Sequence, residues 1–477
     1  MITFIICLLL LVAAYFIYGR YLEKVCGVDP KAKVPSETLY DGVDYLPMPR
    51  WRTFLIQLLN IAGVGPIFGA IMGACFGPVA FVWITLGGIF LGAMHDFVSG
   101  FILVRHNGLS LPEVIGKYLG KGVQQFIRVF TIFLLILVGV VFMRSPASLL
   151  NGMLPEIGYW WWLGIIVVYY FIATMLPIDK LIGKIYPLFG AALIFMALGL
   201  LAVIVFGDYS IPELTADNWR NFQPNPEKLP IVPALFITIA CGAISGFHAT
   251  QSPLMARCLN NEKECRMIFY GSMISESIIA LIWAGVAMAF FHGTEGLIAA
   301  LAEHGNDAAW AVNHISTTTL GIFGGFLAML GVVAAPITSG DTAFRSARLI
   351  VADIFHIEQR SIPKRLAIAA PLFAFGIVMT FIDFDIIWRY FAWANQTLSI
   401  FTLWMIVVYL KQRSRNYWIA LLPALFMTYV CVSFMFVSDQ FFGMGPCSMA
   451  YIWGGIATII TSCLILISAR NAKKTIA

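Results

Sequence analysis

"NIAGVGPIFGA", residues 60–70, lies in the middle of an apolar stretch that is long enough to cross a membrane. It holds three glycines and Pro66, a composition that breaks an α-helix. Free backbone groups in hydrocarbon are costly, so a break at this depth needs partners from the protein or from a bound group. We therefore expect a split helix whose first half ends near Ile61–Gly63 and whose second half begins near Pro66.

The composition restricts the class of protein. Of the 477 residues, 60% are hydrophobic and only 12% are charged, whereas soluble domains carry about 25% charged residues. With a mean hydropathy of +0.86, the chain is expected to be an all-α protein with many membrane spans. The net charge of +5 comes from basic residues in short loops between apolar runs, which does not indicate a nucleic-acid partner.

Thirteen apolar runs are long enough to span a bilayer. They cover 1–18, 54–74, 78–103, 123–143, 160–177, 186–206, 231–256, 267–291, 315–335, 365–381, 386–410, 417–437 and 450–468. Most of the 30 Lys and Arg residues lie in the odd-numbered loops and the C-terminal tail. Because positive loops stay in the cytoplasm, we expect the N-terminus outside and the C-terminus in the cytoplasm.

A second broken helix is expected five spans later, in "ACGAISGFHATQSP", residues 240–253. Its interrupting residues are Gly242, Ser245, Gly246 and Pro253. Helices 2 and 7 run in opposite directions, which is typical of an inverted five-plus-five repeat. In the alternative interpretation, the glycines of each helix only allow close packing against neighbouring helices.

This repeat defines the organisation of a single membrane transport domain. The expected parts are an extra N-terminal helix and loop at 1–53, a first repeat at 54–206, an inverted repeat at 231–410 and two extra helices at 411–477.

The broken ends offer unpaired backbone groups. In helix 2, carbonyls near Leu59 to Gly63 suit a cation, and N–H groups near Gly65 to Phe68 suit a carboxylate, helped by the helix dipole. A small substrate with a carboxylate, with or without an ammonium group, fits such a site. The residues expected to bind it are Asn60, Gly63, Gly65, Pro66, Gly242, Ser245, Gly246, His248 and Gln251.

Ionisable residues inside membrane spans indicate function by default. His95 and Asp96 lie in helix 3, and Glu276 lies in helix 8, the repeat-related partner of helix 3. We expect these three residues to take part in coupling, with the acids as proton carriers or as structural anions paired with His95 or Arg144. His248 has an alternative role as a core histidine bonded to a backbone carbonyl.

Two further groups of polar residues follow. Asp341 is expected to cap the N-terminus of an amphipathic helix after helix 9. Arg345 and Arg348 then lie at the inner membrane surface, where they contact lipid headgroups or form a cytoplasmic gate. Helix 11 carries residues that line the cavity or bridge helices, namely Trp393, Asn395 and Gln396.

"NIAGVGP" resembles the unwound first core helix of the LeuT-like sodium-coupled transporters, which carries a similar Asn-x-x-Gly-x-Gly motif. "APITS" (335–339) resembles their eighth core helix. The resemblance implies a Na⁺ site made by the carbonyls of Leu59, Ala62 and Ala335 and the hydroxyls of Thr338 and Ser339. In the alternative, the two hydroxyls only bond back to a carbonyl of their own helix.

The chain also resembles, from helix 1 to helix 11, the carbon starvation protein A family. The matching motifs are "YGRYLEK" (18–24), "NIAGVGPIFGAIMGACFGP" (60–78), "GAMHDFVSG" (92–100), "SGFHATQSPLMAR" (245–257), "PITSGDTAFRSAR" (336–348) and "WANQTLS" (393–399). The resemblance implies uptake of small nutrients, chiefly peptides, across the bacterial inner membrane, while some members move pyruvate with protons. Many members are longer at the C-terminus, and this chain resembles the short form.

These features predict a secondary active transporter for short peptides, working by alternating access and driven by a cation gradient. The runner-up is a pyruvate or small-carboxylate proton symporter, and the rival from another class is a membrane nutrient sensor. The chain has no GxSxG, HExxH, P-loop or dinucleotide motif, so we do not expect an enzyme. The expected partners are a small-molecule substrate, the lipid bilayer and Na⁺ or H⁺ as coupling ion, with no other cofactor and the oligomeric state left open.

Overall fold

The computed structural model describes residues 1–42, 44–175, 178–357, 359 and 361–476. Throughout these ranges the regular secondary structure is helical. This follows from the apolar runs, because an isolated segment in lipid can satisfy its own backbone groups only as a helix.

The main helices are numbered α1–α13 after the predicted spans. Their bounds are α1 Ile2–Cys26, α2 Arg50–Ile61 with Gly65–Ala74, α3 Val79–Arg105, α4 Lys121–Met153, α5 Tyr159–Met175, α6 Ile178–Phe206, α7 Ile231–Leu235 and Phe236–Thr238 with Gly246–Ala256, α8 Arg266–Phe290, α9 Ala308–Phe355, α10 Ile362–Met379, α11 Phe384–Gln412, α12 Trp418–Val437 and α13 Ser448–Ile476. Three shorter helices lie in the connections, at Pro35–Thr38, Leu111–Leu119 and Thr294–Glu303.

Every predicted span overlaps one of these helices, although the last two residues of 160–177 lie outside the described residues. Within the described ranges, 9 helices are long and apolar enough to cross a membrane, or 10 if the bent α2 counts as one span. Two of the others fall short for physical reasons: α5 has 17 residues, and α7 is interrupted. The total of thirteen spans therefore stays a prediction.

The centre of the molecule is built from the helices that carry the predicted site. α9 packs along α4 and α6, and α8 packs against α1, α2 and α3. The second segment of α7 lies between α3 and α11 and also contacts α2. α13 stays at the periphery, with only 11% of its most apolar window buried, as expected for a helix that faces lipid.

The prediction of a separate amphipathic helix that begins at Asp341 is wrong. α9 continues through Pro336 to Phe355, so Asp341 is not an N-cap but an interior residue with no exposed surface. Arg345 and Arg348 are only 3% and 4% exposed, so they do not contact lipid headgroups, and the alternative of a cytoplasmic gate stays a prediction. Packing of α4, α5 and α6 around α9 covers this polar stretch, and a single sequence does not reveal such cover.

Candidate functional site

α2 is split where the stretch 60–70 predicted it. The first segment ends at Ile61, the second begins at Gly65, and the two are bent by 60°. Ala62 leaves the helical conformation with a ψ of 65°, and Pro66 stands at the start of the second segment, where its missing N–H is tolerated. The predicted break and its position are confirmed.

α7 is interrupted as well, between Thr238 and Gly246. Two amides of the intervening segment donate to the carbonyl of Ala240, at 3.0 and 2.8 Å, and form a tight turn. Pro253 does not contribute to the break, contrary to the prediction, because it lies inside the second helical segment. Near the end of a short segment, proline forfeits one hydrogen bond without stopping the helix.

The two interruptions lie against each other. A Cβ atom added to Gly65 would lie 2.4 Å from the Sγ atom of Cys241, and one added to Gly69 would lie 2.9 Å from the carbonyl oxygen of Thr238. Both distances are well below the usual van der Waals contact distance. The glycines of α2 therefore break the helix and also allow close approach, so both interpretations of the sequence apply.

Two other glycines expected to bind substrate also lie in tight contacts. A Cβ atom on Gly63 would lie 2.4 Å from the ring of Phe142 in α4. A Cβ atom on Gly242 would lie 2.5 Å from the Cβ atom of Ala280 in α8. These positions accept no side chain, which explains the choice of glycine without reference to a ligand.

Asn395 of α11 caps the second segment of α7. Its Oδ1 atom accepts hydrogen bonds from the backbone N–H of Phe247, at 2.7 Å, and from the hydroxyl of Ser245, at 3.0 Å. A capping oxygen satisfies one of the free N–H groups at a helix start. Of the two roles expected for Asn395, the structure shows the bridging of helices, and Gln396 likewise donates to the carbonyl of Phe236.

The ionisable residues of α3, α7 and α8 form one buried cluster. The carboxylate of Asp96 lies between two imidazoles, 2.7 Å from Nδ1 of His95 and 2.8 Å from Nδ1 of His248. Nε2 of His248 lies 3.2 Å from Oε2 of Glu276. All four side chains are fully buried, so their charges are held by one another rather than by water.

The cluster decides between the alternatives that the sequence left open for the partners of the two acids and of His248. Asp96 pairs with His95, as expected, but Arg144 pairs with neither acid, because it contacts Tyr159 and a backbone carbonyl of the α10–α11 connection instead. His248 bonds to carboxylates rather than to a backbone carbonyl. The central position of His248 in the cluster was not predicted. The rotation of each helix about its own axis decides which side chains of distant helices face each other, and the sequence does not report this rotation.

Several buried side-chain amides near the breaks have no hydrogen-bond partner among the described residues. Both polar atoms of Gln57 and of Asn60 are in this state, and so is Oε1 of Gln251. Each such atom costs about 1–3 kcal/mol when it is left unsatisfied. Gln57 was not predicted, although it lies one turn before Asn60 on the same face of α2, and that spacing is the signal that could have found it.

Four of the five oxygen donors expected for a cation lie together between α2 and α9. The carbonyl of Leu59 accepts from the hydroxyls of Thr338, at 3.3 Å, and of Ser339, at 2.8 Å. The carbonyl of Ala335 accepts from the same hydroxyls at 2.8 and 3.0 Å. Carbonyl and hydroxyl oxygens are the ligands that hard cations prefer, so this donor set fits Na⁺. The bonds to Ala335 also match the simpler back-bonding alternative.

The family model described as "Carbon starvation protein CstA" matches residues 1–155 and 148–323. An uncharacterized membrane protein of Haemophilus influenzae is 43% identical, over 62% of this chain and 93% of that protein.

Two named relatives of Escherichia coli are more distant. The peptide transporter CstA is 25% identical, over 86% of this chain and 77% of that protein. The pyruvate/proton symporter BtsT is 28% identical, over 56% of this chain, and the match spans only 46% of the symporter.

Among solved structures, a mutant of the Eremococcus coleocola manganese transporter is similar in fold. The TM-score is 0.54 and the identity 13%, with 92% of this chain and 99% of that chain covered. At this identity the likeness concerns the fold alone.

Proposed function

Because the chain belongs to the carbon starvation protein CstA family, we propose that it is a secondary active transporter that takes up short peptides across the bacterial cytoplasmic membrane. The family assignment rests on the model match and on the Haemophilus influenzae relative. Membrane transport is supported by the relatives named as a peptide transporter and a pyruvate/proton symporter, and by the apolar helices.

The unpartnered amides at the breaks carry the choice of a peptide. Gln57, Asn60 and Gln251 present buried polar atoms without hydrogen-bond partners in the described part of the chain. α2 and the second segment of α7, which hold them, are in contact. A side-chain amide offers both donors and an acceptor, which is the complement of a peptide bond. Binding a peptide would therefore satisfy groups that the fold leaves unsatisfied.

In this proposal, the substrate carboxylate binds at the start of the second segment of α2, near Gly65 and Pro66. A helix N-terminus attracts an anion through its free N–H groups and its dipole. The corresponding end of α7 is less suitable in this conformation, because Asn395 already accepts from the N–H of Phe247. The remainder of the peptide is placed beside α7.

For coupling we assign Na⁺ to the oxygens of Leu59, Ala335, Thr338 and Ser339, to which Ala62 is added by the resemblance. The ion would supply the driving force of its gradient and positive charge beside the α2 break. We propose that coupling between α3, α7 and α8 depends on His95, Asp96 and Glu276. Their contacts through His248 join these three helices.

Alternating access is proposed to use the two interruptions as joints. Neither α2 nor α7 has continuous helical hydrogen bonds at mid-length, so each can bend there at low cost. The inverted repeat of α2–α6 and α7–α11 is part of this proposal and is supported by the paired breaks.

A pyruvate/proton symporter is the second candidate. It is favoured by the match to BtsT and by the anion-binding end of α2, which suits a small carboxylate without any amide contacts. Uptake by proteoliposomes separates the candidates. Labelled dipeptide and labelled pyruvate are offered under a sodium gradient in one series and under a proton gradient in the other.

We expect sodium-driven dipeptide uptake, reduced at least about tenfold by Asn60→Ala, which removes one contact of about 1.4 kcal/mol or more. Asn416→Ala is the control, because Asn416 lies exposed in the connection between α11 and α12. Asn60→Ala should keep the thermal stability of the wild type, since the amide of Asn60 has no hydrogen-bond partner among the described residues. Pyruvate uptake without dipeptide uptake would refute the peptide substrate. Binding of dipeptide without uptake of either compound would indicate a sensor.

A further inference from the structure

Three side chains of different chemistry meet where the break in α7 contacts α8. Cys241, His248 and Glu276 each place one potential ligand atom so that the three atoms lie within 4.8 Å of one another. Cys241 is 1% exposed, and the other two are completely buried. The group joins a sulfur, a nitrogen and an oxygen donor, a combination distinct from the all-oxygen set between α2 and α9.

The spacing suits a single ion. Nε2 of His248 and Oε2 of Glu276 are 3.2 Å apart. Two ligands at about 2.1 Å from a tetrahedral Zn²⁺ ion lie roughly 3.4 Å from each other. The imidazole and the carboxylate could therefore bind the same ion with shifts of a few tenths of an ångström.

The nitrogen and oxygen ligands have few other partners. Apart from the 3.2 Å contact between Nε2 of His248 and Oε2 of Glu276, neither Nε2 nor the carboxylate of Glu276 bonds to any residue that the structure describes. Burying such atoms unsatisfied is expensive, above all for a carboxylate. A cation bound between them would remove that cost, whereas a hydrophobic neighbour would not.

The surroundings of the three ligands match those of a metal centre. Asp96 lies 2.8 Å from Nδ1 of His248 and thereby orients Nε2 towards Glu276. A carboxylate bonded to the far nitrogen is the usual partner of a metal-binding histidine. On the other side, Nδ2 of Asn395 donates to the sulfur of Cys241 at 3.4 Å and helps to fix the position of this side chain.

We propose that Cys241, His248 and Glu276 form a binding site for one divalent transition-metal ion of the Zn²⁺ class, with Asp96 as the positioning residue of His248. Mixed sulfur, nitrogen and oxygen ligands select Zn²⁺ or Co²⁺, while Ca²⁺ and Mg²⁺ prefer oxygen alone. Three protein ligands leave a fourth position for water or a carboxylate. A bound ion would link the interrupted part of α7 to α8.

Cobalt titration of the purified full chain in detergent, after treatment with a chelator, tests the site. We expect one Co²⁺ per chain and a thiolate-to-cobalt charge-transfer band in the near ultraviolet. Cys241→Ser should abolish the band, while Cys431→Ser, at another buried cysteine, should keep it. Glu276→Gln should raise the Kd at least about tenfold, and Asp96→Asn should raise it about 10–100-fold while the band remains.

A second measurement distinguishes loss of the metal site from misfolding of a variant. Zn²⁺ should raise the Tm of the wild type and of Cys431→Ser, because a ligand that binds only the folded state stabilises it, and it should leave the Tm of Cys241→Ser unchanged. Absence of the band in the wild type, or its persistence in Cys241→Ser, would overturn the site. Neither readout involves transport, so failure of the metal site and failure of the peptide transporter are distinguishable.

Discussion

The contact between the two interruptions predicts the effect of a single methyl group at Gly65. In Gly65→Ala the new Cβ would lie 2.4 Å from Sγ and 2.6 Å from Cβ of Cys241. Relaxed carbon contacts are about 3.5–4.0 Å, so the groups must separate by roughly 1 Å. Rotating the thiol away is not enough, because the Cβ atom of Cys241 is fixed to its backbone. The two segments must move apart, at a cost of about 1–3 kcal/mol.

Thermal unfolding in detergent, followed by tryptophan fluorescence, measures this cost. In domains of 150–250 residues, a loss of 1 kcal/mol in the free energy of unfolding lowers Tm by about 2–4 °C. The shift is smaller in a longer chain. We therefore expect the Tm of Gly65→Ala to fall by about 2–5 °C. Gly164→Ala is the matched control, since a Cβ atom at Gly164 in α5 meets nothing within 4 Å. That variant should be unchanged or slightly more stable, because alanine favours a helix interior.

A compensating change makes the test specific. Cys241→Gly removes both atoms that the new methyl group meets, so Gly65→Ala combined with Cys241→Gly should lose less stability than the sum of the two single changes. The samples are kept free of metal ions. Equal Tm values for Gly65→Ala and Gly164→Ala, or strictly additive single and double variants, would refute the contact between the breaks.

Three other outcomes follow from the described contacts. Asn395→Ala removes the acceptor of two buried hydrogen bonds and should lower the free energy of unfolding by about 1–3 kcal/mol, seen as a lower Tm in detergent. Thr338→Ala with Ser339→Ala should abolish the sodium dependence of uptake in proteoliposomes; unchanged dependence would remove that site from consideration. Arg105→Met breaks an ion pair with a buried carboxylate and should lower Tm measurably. Arg220→Met breaks an exposed ion pair and a cation–π contact with Phe222, and it should lower Tm less than Arg105→Met does.

The broken helices could be predicted because their causes are local. Gly63 and Pro66 determine the backbone of α2 within one turn, and Gly242 to Gly246 do the same in α7. The family could also be identified, because long motifs carry it. The oxygens of Leu59 and Ser339 were paired through resemblance to known transporters rather than through any property of the two residues themselves.

The rest of the site depends on which faces of distant helices meet. Asp96 and His248 are 152 positions apart, and nothing in either motif states that their side chains touch. The spacing between Cys241 and His248 matches no common metal-binding motif, so the sequence does not indicate a site there. The error at Asp341 has the same origin, since a polar stretch is compatible with a surface helix until its neighbours are known.

The bond between Ser339 and the carbonyl of Leu59 has a consequence for biosynthesis. The two residues are separated by 280 positions. At about 5–20 residues per second, the ribosome needs tens of seconds to reach α9 after it has made α2. During that interval α2 enters the bilayer with its kink and an incompletely paired carbonyl. The insertion machinery or trapped water must shield this helix until the second half of the chain arrives, so a chain truncated before α9 should be a target for quality-control proteolysis.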